Sequence, residues 1–289
     1  MPAPSAAVLA AFAVGGRPER LAGGQGTAWR AGDVVLKPLD MSLEALRWQA
    51  EVRGAVACDD LRVAAPLRSG DGELVVEGWT AWPLLAGAHA PRWPQILAVG
   101  ERLHRALAGV ERPVHILDAR TDVWARADRI AWGDEDAGPF ARVPEVAHLL
   151  AVRSAVSTPS QLIHGDLSGN VLFADGLAPA VIDLSPYWRP AQYASAIVVV
   201  DAVLWYGADV ELLAVVGDGQ LLVRALLFRL LASREPAAGY RGAIEFVDGL
   251  SPPALLVLRG QGSEGNEPGP RRRRAARIDR PDFAGLSRV

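Results

Sequence analysis

The sequence predicts a two-lobed α+β protein, with a small sheet-based first lobe and a larger, mainly helical second lobe. Residues 1–79 contain short apolar segments separated by glycine-rich turns, which is the pattern of a small antiparallel sheet. Residues 80–258 are dominated by apolar positions at helical spacing. The chain has 289 residues, half of them hydrophobic, so each lobe can bury a core of its own.

Composition and charge narrow the class of protein. The formal net charge of −3 gives no general attraction to nucleic acid or to anionic membranes. Cys58 is the only cysteine and no secretory-signal pattern is seen, so we expect a protein of the reducing cytoplasm. Residues 195–216 are strongly apolar, but Asp201, Asp209 and Glu211 interrupt them. We therefore expect a buried helix there and no membrane span.

The first lobe is expected to open with a helix over residues 4–14, followed by two or three strands over residues 20–37. The turn glycines, among them Gly24 and Gly26, let backbone amides approach a phosphate group, although a lone glycine-rich turn is most often only a turn. Lys37 ends the last of these strands and is the only lysine among 30 lysine and arginine residues. Because arginine cannot copy the compact charge of lysine in a tight phosphate site, Lys37 indicates a functional role.

The rest of the first lobe is predicted to be a helix and a hairpin. The helix covers residues 42–57 and begins with a serine cap. Residues 62–67 and 73–79 are predicted to be two strands joined by a Ser-Gly-Asp-Gly turn. We expect the linker between the lobes near residues 77–83 and the lobe boundary at the end of the second of these strands.

The second lobe is predicted to be a series of helices followed by a polar tail. The helices are expected at residues 93–107, 144–156, 191–231 and 240–258, the third being broken near Gly207 and Gly217. Residues 259–289 are rich in glycine, proline and arginine, cannot pack a core, and are expected to be disordered. We expect the arginine run in this tail to be solvated and not to bind nucleic acid.

One stretch carries the chemistry. His164, Asp166 and Asn170 lie in a polar loop, and an apolar strand, a turn and a second apolar strand then lead to Asp183. Two carboxylates and a carboxamide at one end of a hairpin form the oxygen-rich site that magnesium prefers, with room left for substrate phosphates. The plainer interpretation is an ordinary hairpin, which would not require all these residues to coincide.

This order of residues resembles the catalytic and metal-binding loops of kinases. His-Gly-Asp followed by Ile-Asp is similar to the aminoglycoside phosphotransferase branch of the protein-kinase-like superfamily, over about residues 20–250. The resemblance implies a two-lobed protein-kinase-like fold and an ATP- and magnesium-dependent enzyme that phosphorylates a hydroxyl group of a small molecule. It implies that Asp166 lies beside the acceptor hydroxyl, that His164 supports the catalytic loop, and that Asn170 and Asp183 bind magnesium.

The same resemblance assigns roles in the first lobe. Lys37 would hold the nucleotide phosphates, and Gly24 and Gly26 would belong to the glycine loop above them. A glutamate on the following helix would position the lysine. We choose Glu51 over Glu44, because Glu44 lies in the first turn, where the helix dipole already explains an acidic residue. Asp201 lies where the family places a buried acid that braces the catalytic loop.

Two departures leave alternatives open. Only three residues separate Asp166 from Asn170, whereas the family pattern has four, and Trp29 stands where the glycine loop would have a third glycine. Both departures allow a catalytically weak nucleotide-binding pseudokinase or regulatory module. A metal-dependent hydrolase using the same acids is a third class, and it would not need Lys37. After Asp183 there is no long activation segment, which favours a small-molecule acceptor over a protein. The acids Asp201, Asp209 and Glu211 would suit a cationic amine or amino sugar, or would equally serve as bracing or solvated residues.

Overall fold

The first lobe is built on a four-stranded antiparallel sheet. The computed structural model describes residues 2–21, 26–56, 60–232 and 237–250, so Gly24 and the predicted tail lie outside the described residues. In chain order the lobe contains α1 (Ala6–Ala11), β1 (Glu19–Arg20), β2 (Trp29–Ala31), β3 (Val34–Pro38), α2 (Leu43–Ala55), β4 (Arg62–Val63) and β5 (Trp79–Pro83). The strand order in the sheet is β1-β2-β3-β5, and it places Lys37 opposite Thr80.

Two small cores hold the sheet to its helices. On one side Leu36 and Trp79 pack with Val8 of α1, and all three are buried. On the other side Trp82 packs with Leu46 of α2. The helix α2 begins where the sequence predicts, because the Ser42 hydroxyl accepts a hydrogen bond from the Ala45 backbone N–H.

The structure corrects the predicted hairpin at residues 62–79. The turn forms, since the Ser69 hydroxyl accepts a hydrogen bond from the Glu73 N–H, but the two legs do not pair as strands. Leu67 instead donates its N–H to Ala81 of β5, and β4 runs parallel to a strand of the second lobe. All five residues of β5 pair with β3, so residues 80–83 belong to the first sheet.

The second lobe is mainly helical. In chain order it contains α3 (Trp93–Leu107), α4 (Val114–Leu117), α5 (Val123–Trp132), α6 (Pro144–Val152), β6 (Gln161–His164), β7 (Val171–Leu172), β8 (Ala180–Val181), β9 (Pro186–Arg189), α7 (Ala191–Tyr206), α8 (Gly219–Ala232) and α9 (Arg241–Leu250). Three 3-10 helices accompany them: Gly138–Arg142, Val210–Val216 and Ala237–Tyr240. The predicted bounds of α3 are confirmed at both ends, and the predicted two-lobed α+β class is confirmed.

The core of this lobe is formed around α7 and α8. The predicted breaks at Gly207 and Gly217 are confirmed, because both glycines have left-handed backbone angles that end helices. The apolar stretch at 195–216 therefore becomes α7 and a 3-10 helix, both packed against α8. Within the described ranges, none of the helices has the length and apolarity required to cross a bilayer.

Two small strand pairs present the polar loop. β7 pairs antiparallel with β8, as predicted for the hairpin that leads to Asp183, and β4 adds to β8 in parallel. The sequence did not predict the second pair, in which β6 lies antiparallel to β9 with His164 opposite Pro186. The two pairs place the residues after β6 and the residues after β8 side by side.

Candidate active site

The polar loop after β6 begins at Gly165, where only glycine fits. A Cβ atom at this position would lie 2.5 Å from the ring of Tyr187 on β9. Because β6 and β9 are paired, the ring covers the loop backbone directly. The Gly165 N–H also donates to the Ser185 carbonyl at 2.9 Å. The loop that carries Asp166 is thus fixed against the segment that follows Asp183.

His164 connects the same two segments through both ring nitrogens. Its Nδ1 accepts from the backbone N–H groups of Asp166 at 3.2 Å and Ser185 at 3.3 Å, and its Nε2 lies 3.2 Å from the Ile182 carbonyl. The side chain is fully buried. Burial is the main reason that the pKa of His164 falls to about 4, although the Asp166 carboxylate opposes the shift. The neutral ring therefore supports the backbone and has no nitrogen left for a substrate.

A second buried histidine lies behind the first. His104 of α3 accepts the backbone N–H of His164 at its Nε2, with a distance of 3.1 Å. Burial, and then the nearby His164, lowers the pKa of His104 to about 3. The sequence predicts a structural role for His104, as for most lone helical histidines, but it carries no signal that would identify the partner.

Asp183 follows β8 in an unusual backbone conformation, with φ of 46°, in the left-handed region that few residues other than glycine adopt. Its carboxylate forms an ion pair with Lys37 of β3, which comes from the other lobe. Burial alone would raise the pKa of Asp183, but the Lys37 ammonium, together with the Arg53 guanidinium, lowers the net pKa below the usual value. Such strain is typical of functional positions.

Asp166 and Asn170 face each other across the loop. The Asn170 side-chain amide donates to the Asp166 backbone carbonyl at 2.6 Å and to Asp166 Oδ2 at 3.0 Å. The three-residue spacing closes as a turn, in which the Asn170 N–H bonds to the Leu167 carbonyl at 3.0 Å. The Asn170 carbonyl accepts the Ile182 N–H at 3.0 Å, which places Asn170 next to the strand end that carries Asp183.

A buried ion pair lies beneath the loop. Asp201 of α7 is 1% exposed, and Arg229 of α8 binds both of its carboxylate oxygens, at 2.7 and 2.6 Å. Ser168 of the loop donates its hydroxyl to Asp201 at 2.8 Å. Burial raises the pKa of Asp201, and the charge of Arg229 opposes that shift. Asp201 therefore connects the loop to the helical core, where the resemblance placed a bracing acid.

Sequence reasoning missed Arg229. A signal was present, because Arg224 and Arg229 interrupt the otherwise apolar sequence of α8, and a charge within a buried helix needs a partner. Its position in the chain does not reveal that partner, since Arg229 lies 28 residues after Asp201 and 63 after Asp166.

The structure does not bring Glu51 to Lys37. Both Glu51 and the alternative Glu44 are exposed on α2, and the ion pair found for Lys37 among the described residues is with Asp183. The buried face of α2 carries Gln49 and Arg53 instead.

Arg53 lies on the helix from which the sequence analysis expected a glutamate to approach the lysine, and Arg53 and Lys37 both lie near the ring of Trp82. Its guanidinium donates to Gln49 at 3.0 Å and to the Ala64 carbonyl at 2.6 Å, and lies 4.9 Å from the ring centre of Trp82. Lys37 lies 6.0 Å from the same ring. Burial lowers the pKa of Arg53 to about 10, against the opposing charge of Asp183.

The glycine loop is described only in part. Gly26 has a φ of 63°, and its carbonyl accepts a hydrogen bond of 2.7 Å from Arg20. Gly24 lies outside the described residues.

The donor atoms suit a hard cation, but with few protein ligands. In the part of the chain that the structure describes, no group of three or more His, Cys, Asp or Glu side chains could hold a metal ion. Asp183 offers carboxylate oxygens, and Asn170 makes its hydrogen bonds through the amide nitrogen, which leaves its oxygen as a ligand atom. A magnesium ion with two protein ligands takes its remaining ligands from water and phosphate.

Comparisons with known proteins bear on the fold. No family model matches this chain, and no curated protein was matched. Among solved structures, the chain is similar to an aminoglycoside phosphotransferase from Alicyclobacillus acidocaldarius, with a TM-score of 0.57, 13% sequence identity, and coverage of 86% of this chain and 96% of the other. At this identity the likeness shows the fold, and it confirms the protein-kinase-like architecture that the sequence resemblance implied.

Two further structures are less similar. A spectinomycin phosphotransferase solved with ADP and spectinomycin has a TM-score of 0.45 at 13% identity, covering 80% of each chain. A choline/ethanolamine kinase family protein from Mesorhizobium loti has a TM-score of 0.47 at 18% identity, covering 83% of this chain and 90% of the other.

Proposed function

We propose that this protein is an ATP- and magnesium-dependent phosphotransferase that moves the γ-phosphoryl group to a hydroxyl group of a small molecule. The observation that carries the proposal is the ion pair between Lys37 and Asp183, residues 146 positions apart in different lobes. Asp166 and Asn170 adjoin Asp183 through the backbone contact at Ile182. Four residues singled out by their chemistry thus meet at one site, which an ordinary hairpin would not require.

The roles of the cationic and oxygen ligands follow from their positions. Lys37 forms an ion pair with Asp183, and it would hold the phosphates of bound ATP. Asp183 and Asn170 would hold magnesium through their oxygens. The metal, when bound, would neutralise charge on the β- and γ-phosphates. Asp183 has a positive φ, and its carboxylate pairs with Lys37.

Asp166 is the group suited to the acceptor. Its side chain is 48% exposed, so a substrate can reach it, whereas the neighbouring His164 is buried and engaged through both ring nitrogens. Asp166 would accept a hydrogen bond from the attacking hydroxyl and orient it in line with the γ-phosphorus. His164 would act only as a support.

The acceptor is expected to be a small molecule. The chain after Asp183 enters β9 within three residues and pairs with β6, so it forms no long loop that could dock a protein substrate. The acids considered for a cationic acceptor do not form a group, since Asp201 is buried against Arg229 and Asp209 caps the 3-10 helix Val210–Val216. We therefore propose a small hydroxyl compound as the acceptor, without restricting it to cationic ones. We expect the protein to be cytoplasmic and to have neither a membrane nor a nucleic acid as partner.

A nucleotide-binding pseudokinase or regulatory module is the second candidate. The observation that favours it is the buried face of α2, which carries Gln49 and Arg53 and no carboxylate for Lys37, while Glu44 and Glu51 are exposed. Without such a partner, Lys37 is free to pair with Asp183 and to compete with magnesium. A protein of this kind would bind ATP and transfer nothing.

The test is an assay of ADP release with ATP and a panel of hydroxyl compounds, beginning with aminoglycosides, in magnesium and in EDTA. We expect release that depends on both acceptor and magnesium, with mass spectrometry showing the added phosphoryl group on the acceptor. Asp183→Asn should abolish it. Unchanged turnover in Asp183→Asn would contradict the proposal, ATP binding without transfer would favour the pseudokinase, and full metal-dependent hydrolysis in Lys37→Ala would point to a hydrolase.

A further inference from the structure

Arg229 lies at the junction between the helical core and the candidate catalytic carboxylate. It belongs to α8 and is 3% exposed. Its Nε and Nη2 atoms bind the two oxygens of Asp201, and Nη2 also lies 3.2 Å from Oδ1 of Asp166. One guanidinium therefore contacts a buried carboxylate and a half-exposed carboxylate at once.

Aromatic rings hold this guanidinium in place. Its central carbon lies 5.4 Å from the ring centre of Trp124, 5.3 Å from that of Trp205, and 4.9 Å from that of Phe228. Such contacts favour a cation over a ring face, and together they restrict the side chain. Arginine suits this position because its planar fork can bind two partners in fixed directions, which lysine cannot.

Each carboxylate oxygen of Asp166 is bound by a different residue. Oδ1 faces Arg229, and Oδ2 accepts the amide of Asn170 at 3.0 Å. The rotation of the carboxylate is therefore set before any substrate arrives, while nearly half of the side chain stays open to solvent. A preset acceptor of this kind lowers the cost of orienting an attacking hydroxyl.

We propose that Arg229 is a positioning residue for phosphoryl transfer, which acts by holding the Asp166 carboxylate in a fixed orientation against the helical core. The inference rests on the proposed function for the reaction itself. The inference goes beyond the bracing role of Asp201. Arg229 could neutralise Asp201 from a position out of reach of Asp166, but it also lies within hydrogen-bond distance of Asp166.

The same helix supplies a matched control. Arg224 is also buried, at 4% exposed, and its guanidinium lies 4.7 Å from the ring centre of Trp132. It donates to the Ser154 carbonyl at 2.7 Å and to Gln220, and among the described residues none of its hydrogen bonds is to the catalytic loop. Loss of Arg224 therefore reproduces the loss of a buried, ring-packed arginine from α8 without touching Asp166.

The experiment compares Arg229→Met, Arg229→Lys and Arg224→Met in steady-state transfer, with the folded fraction of each measured by circular dichroism. We expect both Arg229 variants to lose about 10- to 100-fold in kcat with little change in the KM for ATP, as for a misplaced reacting group. Arg224→Met should keep the wild-type kcat per folded molecule. Arg229→Lys retains the charge, so its failure to restore kcat would assign the effect to geometry.

Two results would overturn the proposal. One is an unchanged kcat in folded Arg229→Lys, and the other is an equal loss in Arg224→Met. A wild-type protein without transfer activity would instead count against the proposed function. In that case hydrogen exchange of residues 164–170 tests the positioning role of Arg229. The proposal predicts faster exchange there in the Arg229 variants than in Arg224→Met. Equal exchange would overturn it.

Discussion

The two carboxylates of the candidate site lie in adjoining segments, and the protein holds them in different ways. Asp166 is held by Asn170 and Arg229, both from its own lobe, and Arg229 is buried among aromatic rings. Asp183 is held by Lys37 from the other lobe, in an ion pair whose side chains are 25% and 48% exposed. One carboxylate is therefore fixed by the core, and the other depends on how the two lobes meet.

The difference indicates that the two sides of the site have different roles. In the proposed reaction the core would set the acceptor side, where a hydroxyl must be oriented closely. The proposed nucleotide side holds the partly exposed Lys37–Asp183 ion pair, which bound ATP and magnesium would replace at small cost, because surface ion pairs contribute about 0–1 kcal/mol. Substitutions on the two sides should thus differ in both activity and stability.

The largest expected effect is on transfer in Asp166→Asn. Asparagine keeps the shape of the side chain but is a poor acceptor for the hydroxyl proton, so kcat should fall by about 10²- to 10⁴-fold. ATP binding should be unchanged, because Asp166 lies on the acceptor side. Asp175→Asn, at the exposed turn of the same hairpin, should keep the wild-type kcat. Loss of ATP binding in Asp166→Asn would contradict the division of the site into two sides.

The next effect is on stability at the core-held side. Among the described residues, Asp201→Ala leaves buried Arg229 with Asp166 alone as an ionic partner, and breaking a buried pair in this way costs about 3–5 kcal/mol. Urea unfolding of the variant measures the loss. Asp175→Ala, which removes an exposed carboxylate, should stay within about 0.5 kcal/mol of the wild type. Similar values for the two variants would show that the network beneath Asp166 does not stabilise the fold.

Acid pH should act on the histidines that support the loop. The pKa of His164 is about 4 and that of His104 about 3 in the folded protein, below the value of about 6.5 in an unfolded chain. Between these values the unfolded chain binds protons that the folded protein does not. The free energy of unfolding should therefore fall as the pH drops from about 6.5 to 4, by about 3 kcal/mol for His164.

His104→Gln tests this pH dependence. Glutamine can still accept the His164 N–H but does not titrate, so the decline between pH 6.5 and 4 should be shallower than in the wild type. Urea unfolding across this range provides the measurement. An equally steep decline in the variant would mean that His104 is not the neutral, buried group that the structure places behind the loop.

The smallest effect is expected at the lobe-to-lobe pair. Lys37→Met should change the free energy of unfolding by less than about 1 kcal/mol, because both partners are partly exposed and water screens their attraction. The contrast with Asp201→Ala gives the sharpest comparison of the two sides. A loss as large as that of Asp201→Ala would show that the Lys37–Asp183 pair is part of the core of the protein.

Local patterns predicted much of this molecule. The bounds of α3, the β7–β8 hairpin and the breaks at Gly207 and Gly217 all follow from periodicity and turn residues within a short window. The predicted hairpin pairing at residues 62–79 was wrong: β4 does form within its first leg but pairs with β8, and Leu67 finds its partner in β5. Turn residues specify a turn, but long-range pairing decides whether its legs become strands.

The candidate site shows the same limit. The motif predicted that Asp166, Asn170 and Asp183 lie close together, because all three are next to the open end of the same hairpin. The choice of Glu51 depended on which face of α2 meets the lysine, and the structure turns Gln49 and Arg53 inward. Arg229 could be recognised as a buried charge but not as the partner of Asp166, since no short-range pattern joins α8 to the loop.

The most direct test of the site is a thermal-shift titration with ATP, with and without magnesium, on the wild type and on Asp183→Asn. A ligand that binds only the folded protein raises its melting temperature. The account predicts a magnesium-dependent increase in the wild type that Asp183→Asn abolishes and Asp166→Asn retains. No increase at millimolar ATP, or an equal increase in Asp183→Asn, would contradict the assignment of Lys37 and Asp183 to a magnesium–nucleotide site.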